Sequence, residues 1–247
     1  MRIYSLKEGI YYINKQKEMF AEGDPELSNK NLQLFLKLSI TPFLISLKDE
    51  LIILDTGTNR KNENNELSII RKLKDLGFKP SDITTVFISH LHSDHYGGMF
   101  NLNETHNLEL TFKNAQHLIN KNDFEKSIEK LSSHFSTSQK IILQLLENKV
   151  NFIEDKIFKN QYFEIENTGG HSEFHQTIKI KENEEIVFFG GDVAPQLSQM
   201  KTQFKAKYDF DPTIAKELRE KWWQKGLKEH WTFLFYHDLQ NSIHKTL

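Results

Sequence analysis

The chain contains no cysteine. Disulfides and thiolate metal ligands are therefore excluded, and the redox compartment stays undetermined. No stretch approaches the roughly 20 apolar residues that a membrane-spanning helix needs. Neither sign of charge is in excess: 32 Lys and Arg stand against 34 Asp and Glu, a net charge of −2. A general nucleic-acid binder carries a basic balance, so that class is set aside. Met1 to Glu8 include no long apolar run and so no visible secretory signal, which makes a cytoplasmic location the expectation. No internal repeat, low-complexity tract or clear linker interrupts the 247 residues, and a single domain over 1–247 is expected.

What is present is a core and a mixed pattern of elements. A hydrophobic content of 38% with 19 Phe suffices for a sizeable interior. Ile10 to Ile13 reads as a strand. Phe43 to Leu47, a polar Lys48-Asp49-Glu50 turn and Leu51 to Leu54 read as a hairpin. Leu67, Ile70, Leu73 and Leu76 keep helical spacing, with Gly77 as the C-terminal cap and Pro80 just beyond. Thr85 to Ser89 reads as a strand, and residues 115–149 as helical. In that span Phe124, Ile128, Leu131 and Phe135 form one stripe, with Ile141, Ile142, Leu145 and Leu146 following. Gln161–Glu166, Thr177–Lys181 and Glu185–Phe189 read as strands. Asp211-Pro212 opens a last helix whose apolar face is Ile214, Leu218, Trp222 and Leu227.

The densest chemistry lies in Ser89-His90-Leu91-His92-Ser93-Asp94-His95-Tyr96-Gly97-Gly98, directly after the apolar Val86-Phe87-Ile88. Imidazole and carboxylate together suit zinc and neighbouring first-row metals. Alternation along an extended segment puts His90 and His92 on one side, within reach of one ion. Asp94 and His95 lie just beyond and can reach a second.

This run resembles the signature of the metallo-β-lactamase-fold superfamily, and later stations follow in the family's order. Thr168-Gly169-Gly170-His171 stands at its third histidine, Gly190-Gly191-Asp192 at its bridging aspartate, and Phe235-Tyr236-His237-Asp238 at its last histidine. Leu54-Asp55-Thr56-Gly57 is similar to an early motif whose aspartate braces the metal loop. The resemblance implies an α/β fold, an αββα sandwich of two facing sheets with helices outside. It also implies two divalent ions, zinc by default: one on His90, His92 and His171, one on Asp94, His95 and His237, with Asp192 between them. Asp94 then either orients the nucleophile and receives its proton or serves purely as a ligand. His175 is expected to support rather than ligate. Cobalt, iron or manganese also suit such donors.

The pattern is most similar to the lactonase-type branch, which includes quorum-quenching acyl-homoserine lactonases. Tyr208-Asp209-Phe210-Asp211-Pro212 adds to that likeness. The reaction it implies is opening of a lactone, or cleavage of an ester, by metal-bound hydroxide on a small-molecule substrate. The same centre acting on a phosphodiester, an organophosphate or a thioester is the alternative, and a non-catalytic metal-binding protein is the third reading. Some lactonase-type members carry a tyrosine three residues after the bridging aspartate. Pro195 stands there in this chain, so either Tyr208 or Tyr236 supplies the phenol or the second metal acts alone. Segments 14–38 and 115–149 are candidate caps over the site, and a homodimer through their exposed parts stays open.

Overall fold

A computed structural model describes residues 1–102, 108–131, 150–154 and 157–246. In chain order the strands are β1 (Arg2–Ser5), β2 (Gly9–Ile13), β3 (Met19–Ala21), β4 (Leu36–Ile40), β5 (Phe43–Ser46), β6 (Leu51–Leu54) and β7 (Thr85–Phe87). They continue as β8 (Phe100–Leu102), β9 (Leu108–Leu110), β10 (Gln116–Asn120), β11 (Val150–Ile153), β12 (Ile157–Lys159) and β13 (Phe163–Asn167). The last four are β14 (Gln176–Glu182), β15 (Glu185–Phe189), β16 (Thr232–Leu234) and β17 (Ile243–Lys245). Helices α1 (Ser68–Asp75), α2 (Ser93–Tyr96) and α3 (Lys121–Leu131) belong to the first half of the chain, and a helix over Pro212–Glu229 to the second.

One sheet has the order β1-β5-β6-β7-β10-β11 and the other β12-β13-β14-β15-β16-β17. Alternation decides which side chains fill the space between them. Phe43 and Ile45 point inward and Leu44 outward; Ile52 and Leu54 inward, Ile53 outward; Val187 and Phe189 inward, Phe188 outward. The inward set meets Ile165, Ile178 and Ile180 in one core. The outward residues of the first sheet pack on Ile69 and Leu73 of α1 and Phe124 of α3. Those of the second pack on Ala215 and Trp222 of the last helix. The layers are helix, sheet, sheet, helix, as the resemblance implies.

Two expectations change in detail. Residues 116–120 are a strand, not helix, because β10 lies in parallel register between β7 and β11. Helix begins only at Lys121, and the stripe from Phe135 to Leu146 falls outside the described residues. The buried face of the Pro212–Glu229 helix is Ala215, Arg219, Trp222 and Gly226, while Ile214 and Leu227 are exposed. Its N-terminus is as expected: the Asp211 carboxylate accepts from the amides of Thr213 and Ile214, both at 2.9 Å. Segment 14–38 contains β3 and the start of β4, which flank β2 in a small sheet of its own. Among the described residues no helix is long and apolar enough to cross a membrane.

Candidate metal centre

The parallel strands β6, β7, β15 and β16 all deliver their C-terminal ends to one edge of the sandwich. Asp55 follows β6, the His90–His95 run follows β7, Asp192 follows β15 and His237 follows β16. His171 comes from the connection between β13 and β14. All seven proposed ligands therefore meet, although His90 and His237 are far apart in sequence.

They form three overlapping groups: His90, His92 and His171; His90, His95 and Asp192; Asp94, His95 and His237. His92 Nδ1 lies 2.8 Å from His90 Nε2 and 3.3 Å from His171 Nε2. Asp192 stands at the junction. Its carboxylate oxygens come within 3.4 Å of His95 Nε2, 3.4 Å of His171 Nε2 and 3.1 Å of His237 Nε2. Asp94 Oδ2 is 3.7 Å from both His95 Nε2 and His237 Nε2.

The other ring nitrogen of four histidines is already committed. His95 Nδ1 donates to Asp55 Oδ2 at 2.7 Å, His171 Nδ1 to Asp209 Oδ1 at 3.0 Å and His237 Nδ1 to the Ser39 carbonyl at 2.7 Å. His90 Nδ1 is 3.1 Å from the Ser89 hydroxyl, which itself donates to Asp55 at 2.7 Å. A proton held on Nδ1 leaves the Nε2 lone pair aimed inward, as a metal-binding imidazole requires. Inward-facing lone pairs repel one another unless something positive lies between them. His95 Nε2 and Asp192 Oδ1 are also buried without a hydrogen-bond partner among the described residues. Converging ring nitrogens, carboxylate oxygens and orphaned buried atoms fit a divalent cation.

Electrostatics agree. Burial, reinforced by neighbouring imidazoles, holds His90 well below the ordinary histidine range and pushes His92 down to about 4, so both are neutral donors at neutral pH. Asp192 resists the upward push of burial because His237, His95 and His171 surround it, and it stays ionised.

Asp55 is fully buried and braces the loop by accepting from the Ser89 amide at 2.7 Å as well as from His95. His175 supports Asp192: its Nε2 accepts from the Asp192 amide at 3.1 Å, while Nδ1 meets the Thr168 hydroxyl at 2.9 Å. Tyr236 is fully buried and donates to the Asp94 carbonyl at 2.6 Å. Tyr208 is half exposed, with its ring 6.0 Å from that of His171. Asp209 is the participant that pattern reading passed over. Its only signal was an acidic residue in the turn before the last helix.

The sequence matches the Metallo-beta-lactamase superfamily over residues 37–237, most of its length, and the chain belongs to that family. Several solved structures share its fold. A probable metal-dependent hydrolase from Staphylococcus aureus superposes with a TM-score of 0.75 at 22% identity, covering 99% of this chain and 91% of that one. AidC, a dizinc quorum-quenching lactonase in complex with a product, gives 0.71 at 20%, covering 98% and 89%. An N-acyl homoserine lactone hydrolase, with product N-hexanoyl-L-homoserine at its catalytic metal center, gives 0.65 at 20%, covering 96% and 93%. No curated protein matches the sequence.

Proposed function

We propose that this protein is a metal-dependent hydrolase that opens a lactone or cleaves an ester of a small molecule. The observation that carries the reading is the position of Asp192, whose one carboxylate reaches histidines of both clusters. His90, His92 and His171 would hold one divalent ion and Asp94, His95 and His237 a second, with Asp192 within reach of both; zinc is the default. When bound, such ions supply Lewis acidity, bringing the pKa of a water from 15.7 toward about 7 and polarising a carbonyl oxygen.

The chain's own groups do the rest. Asp94 is partly exposed, with 18% of its side chain accessible, and its carboxylate orients the attacking water and takes its proton. It returns that proton to the leaving alkoxide when the ring opens. Tyr208, half exposed with its ring 6.0 Å from that of His171, is the phenol we assign to donate to the substrate oxygen. Tyr236 is not, since its hydroxyl is bound to the Asp94 backbone. The choice of lactone over other bonds is supported by the fold shared with the two acyl homoserine lactone enzymes.

The test is elemental analysis of protein purified without chelator, with turnover of an acyl-homoserine lactone, an aryl ester, a phosphodiester and a β-lactam. Two ions per chain and lactone or ester turnover are expected, and His92→Ala should lose an ion and most of that turnover while staying folded. Turnover of the phosphodiester alone would move the function to another bond. No metal uptake even after zinc is added would overturn the reading.

A further inference from the structure

Outside the ligands and their direct partners, a partly buried polar chain joins the two halves of the first three-histidine cluster. Leu91 lies between His90 and His92, and its amide donates to Asp123 Oδ2 at 2.8 Å. Asp123 sits in the first turn of α3. Its own amide donates to Asn120 Oδ1 at 3.1 Å, the bond by which a capping residue satisfies a helix N-terminus. Asn120 is 2% exposed, and its amide nitrogen donates to Asn167 Oδ1 at 2.8 Å. Asn167 ends β13 and immediately precedes Thr168-Gly169-Gly170-His171.

The series therefore runs from the backbone between two proposed ligands, through the cap of α3, to the strand that delivers the third. It crosses from one sheet to the other. We propose that Asn120, Asp123 and Asn167 form a clamp that sets the separation of His90 and His92 from His171, and so act as positioning residues for the ion those three hold. They touch neither ion nor substrate. Their effect passes through the backbone: a shift of the Leu91 amide moves the imidazoles on both sides of it. An acidic side chain in the first helical turn is also favoured by the helix dipole. In the second cluster His95 is held instead by Asp55 and His237 by the Ser39 carbonyl.

The inference rests on the metal centre proposed above, and its test uses ions without substrate. Metal-free wild type, Asp123→Ala, Asn167→Ala and Asp123→Asn are titrated with Co²⁺, and zinc affinity is read by chelator competition. His92→Ala and His237→Ala give the reference spectra for loss of each cluster. In Asp123→Ala and Asn167→Ala one ion is expected to weaken by about 10–100-fold, with the spectrum moving toward that of His92→Ala, while the other is unchanged. Asp123→Asn keeps an oxygen for the Leu91 amide and should recover most of the loss. The double variant Asp123→Ala/Asn167→Ala should weaken binding by less than the product of the single effects, as members of one network do. Wild type that takes up no Co²⁺ overturns both this inference and the metal centre. Wild type with two ions, beside Asp123→Ala with two ions of unchanged affinity, overturns the clamp alone. So does equal weakening of both ions, which is what a general loss of packing produces.

Discussion

His171 illustrates what a single contact contributes. Its Nδ1 is engaged by Asp209, a residue 38 positions away in the chain. Asp209 is itself held in a buried setting near Arg219, whose guanidinium donates to the carbonyls of Val193, beside Asp192, and Phe204. Burial pulls the Arg219 pKa down, and the Asp209 charge works against that pull. Removing the carboxylate frees the His171 ring to turn and to move its proton. Asp209→Ala is expected to lower metal affinity about 10–100-fold, and Asp209→Asn by less, since an amide oxygen still accepts. Chelator competition on the two variants checks this; equal affinity in wild type and Asp209→Ala would contradict it. The candidate ligands were legible in the sequence because His90, Asp192 and His237 come shortly after apolar runs, while His92, Asp94, His95 and His171 stand in short His, Asp and Gly motifs that resemble the family's. Asp209 was not, because a carboxylate at a turn carries no mark of the imidazole it will meet.

The elements repeat that division. Strands β5, β6 and β15 were legible as short apolar runs bounded by polar residues, because both of their faces are buried, one against the facing sheet and one against helix. β10 was not: Gln116-His117-Leu118-Ile119-Asn120 has little local preference, and its pairing with β7 and β11 decides its state. The last helix misled for another reason. Arg219 reads as a solvent residue yet is 1% exposed, and Gly226 packs where a Cβ would stand 2.3 Å from the Phe233 ring, so the buried face contains two residues that hydropathy does not mark. The Gly97-Gly98 pair that ends the histidine run is as restrictive. A Cβ on Gly98 would lie 2.2 Å from the Thr56 carbonyl, a backbone atom in the loop that Asp55 opens. Gly98→Ala should therefore destabilise the fold by about 1–3 kcal/mol, readable as a lower denaturant midpoint with unchanged slope. A midpoint equal to wild type would show that the loop yields freely.

For the molecule as a whole, buried histidines of opposite sign of shift govern stability once metal is removed. Burial and neighbouring imidazoles depress His90, His92 and His175 in the folded chain, His92 to about 4. The unfolded chain then binds protons that the folded chain refuses, so stability is lost as pH falls from about 6.5 toward 4. His95 and His237 are shifted upward: burial opposes their charge, but Asp192 and Asp94 outweigh it. Their contribution is complete below about pH 6.5 and is lost as pH rises through their raised values. Thermal melts in chelator between pH 4 and 9 should show a maximum near 6.5 that falls on both sides, whereas a melting temperature climbing steadily to pH 9 would contradict these shifts.

The division of the ligands has a consequence in time. His90, His92, Asp94 and His95 belong to the first sheet's side of the chain, and His171, Asp192 and His237 to the second's. Neither side holds a complete donor set, so a newly made chain has no site to offer until the two sheets have docked. Ion capture thus dates the end of assembly: in refolding, metal uptake will trail the burial of the shared core and never run ahead of it.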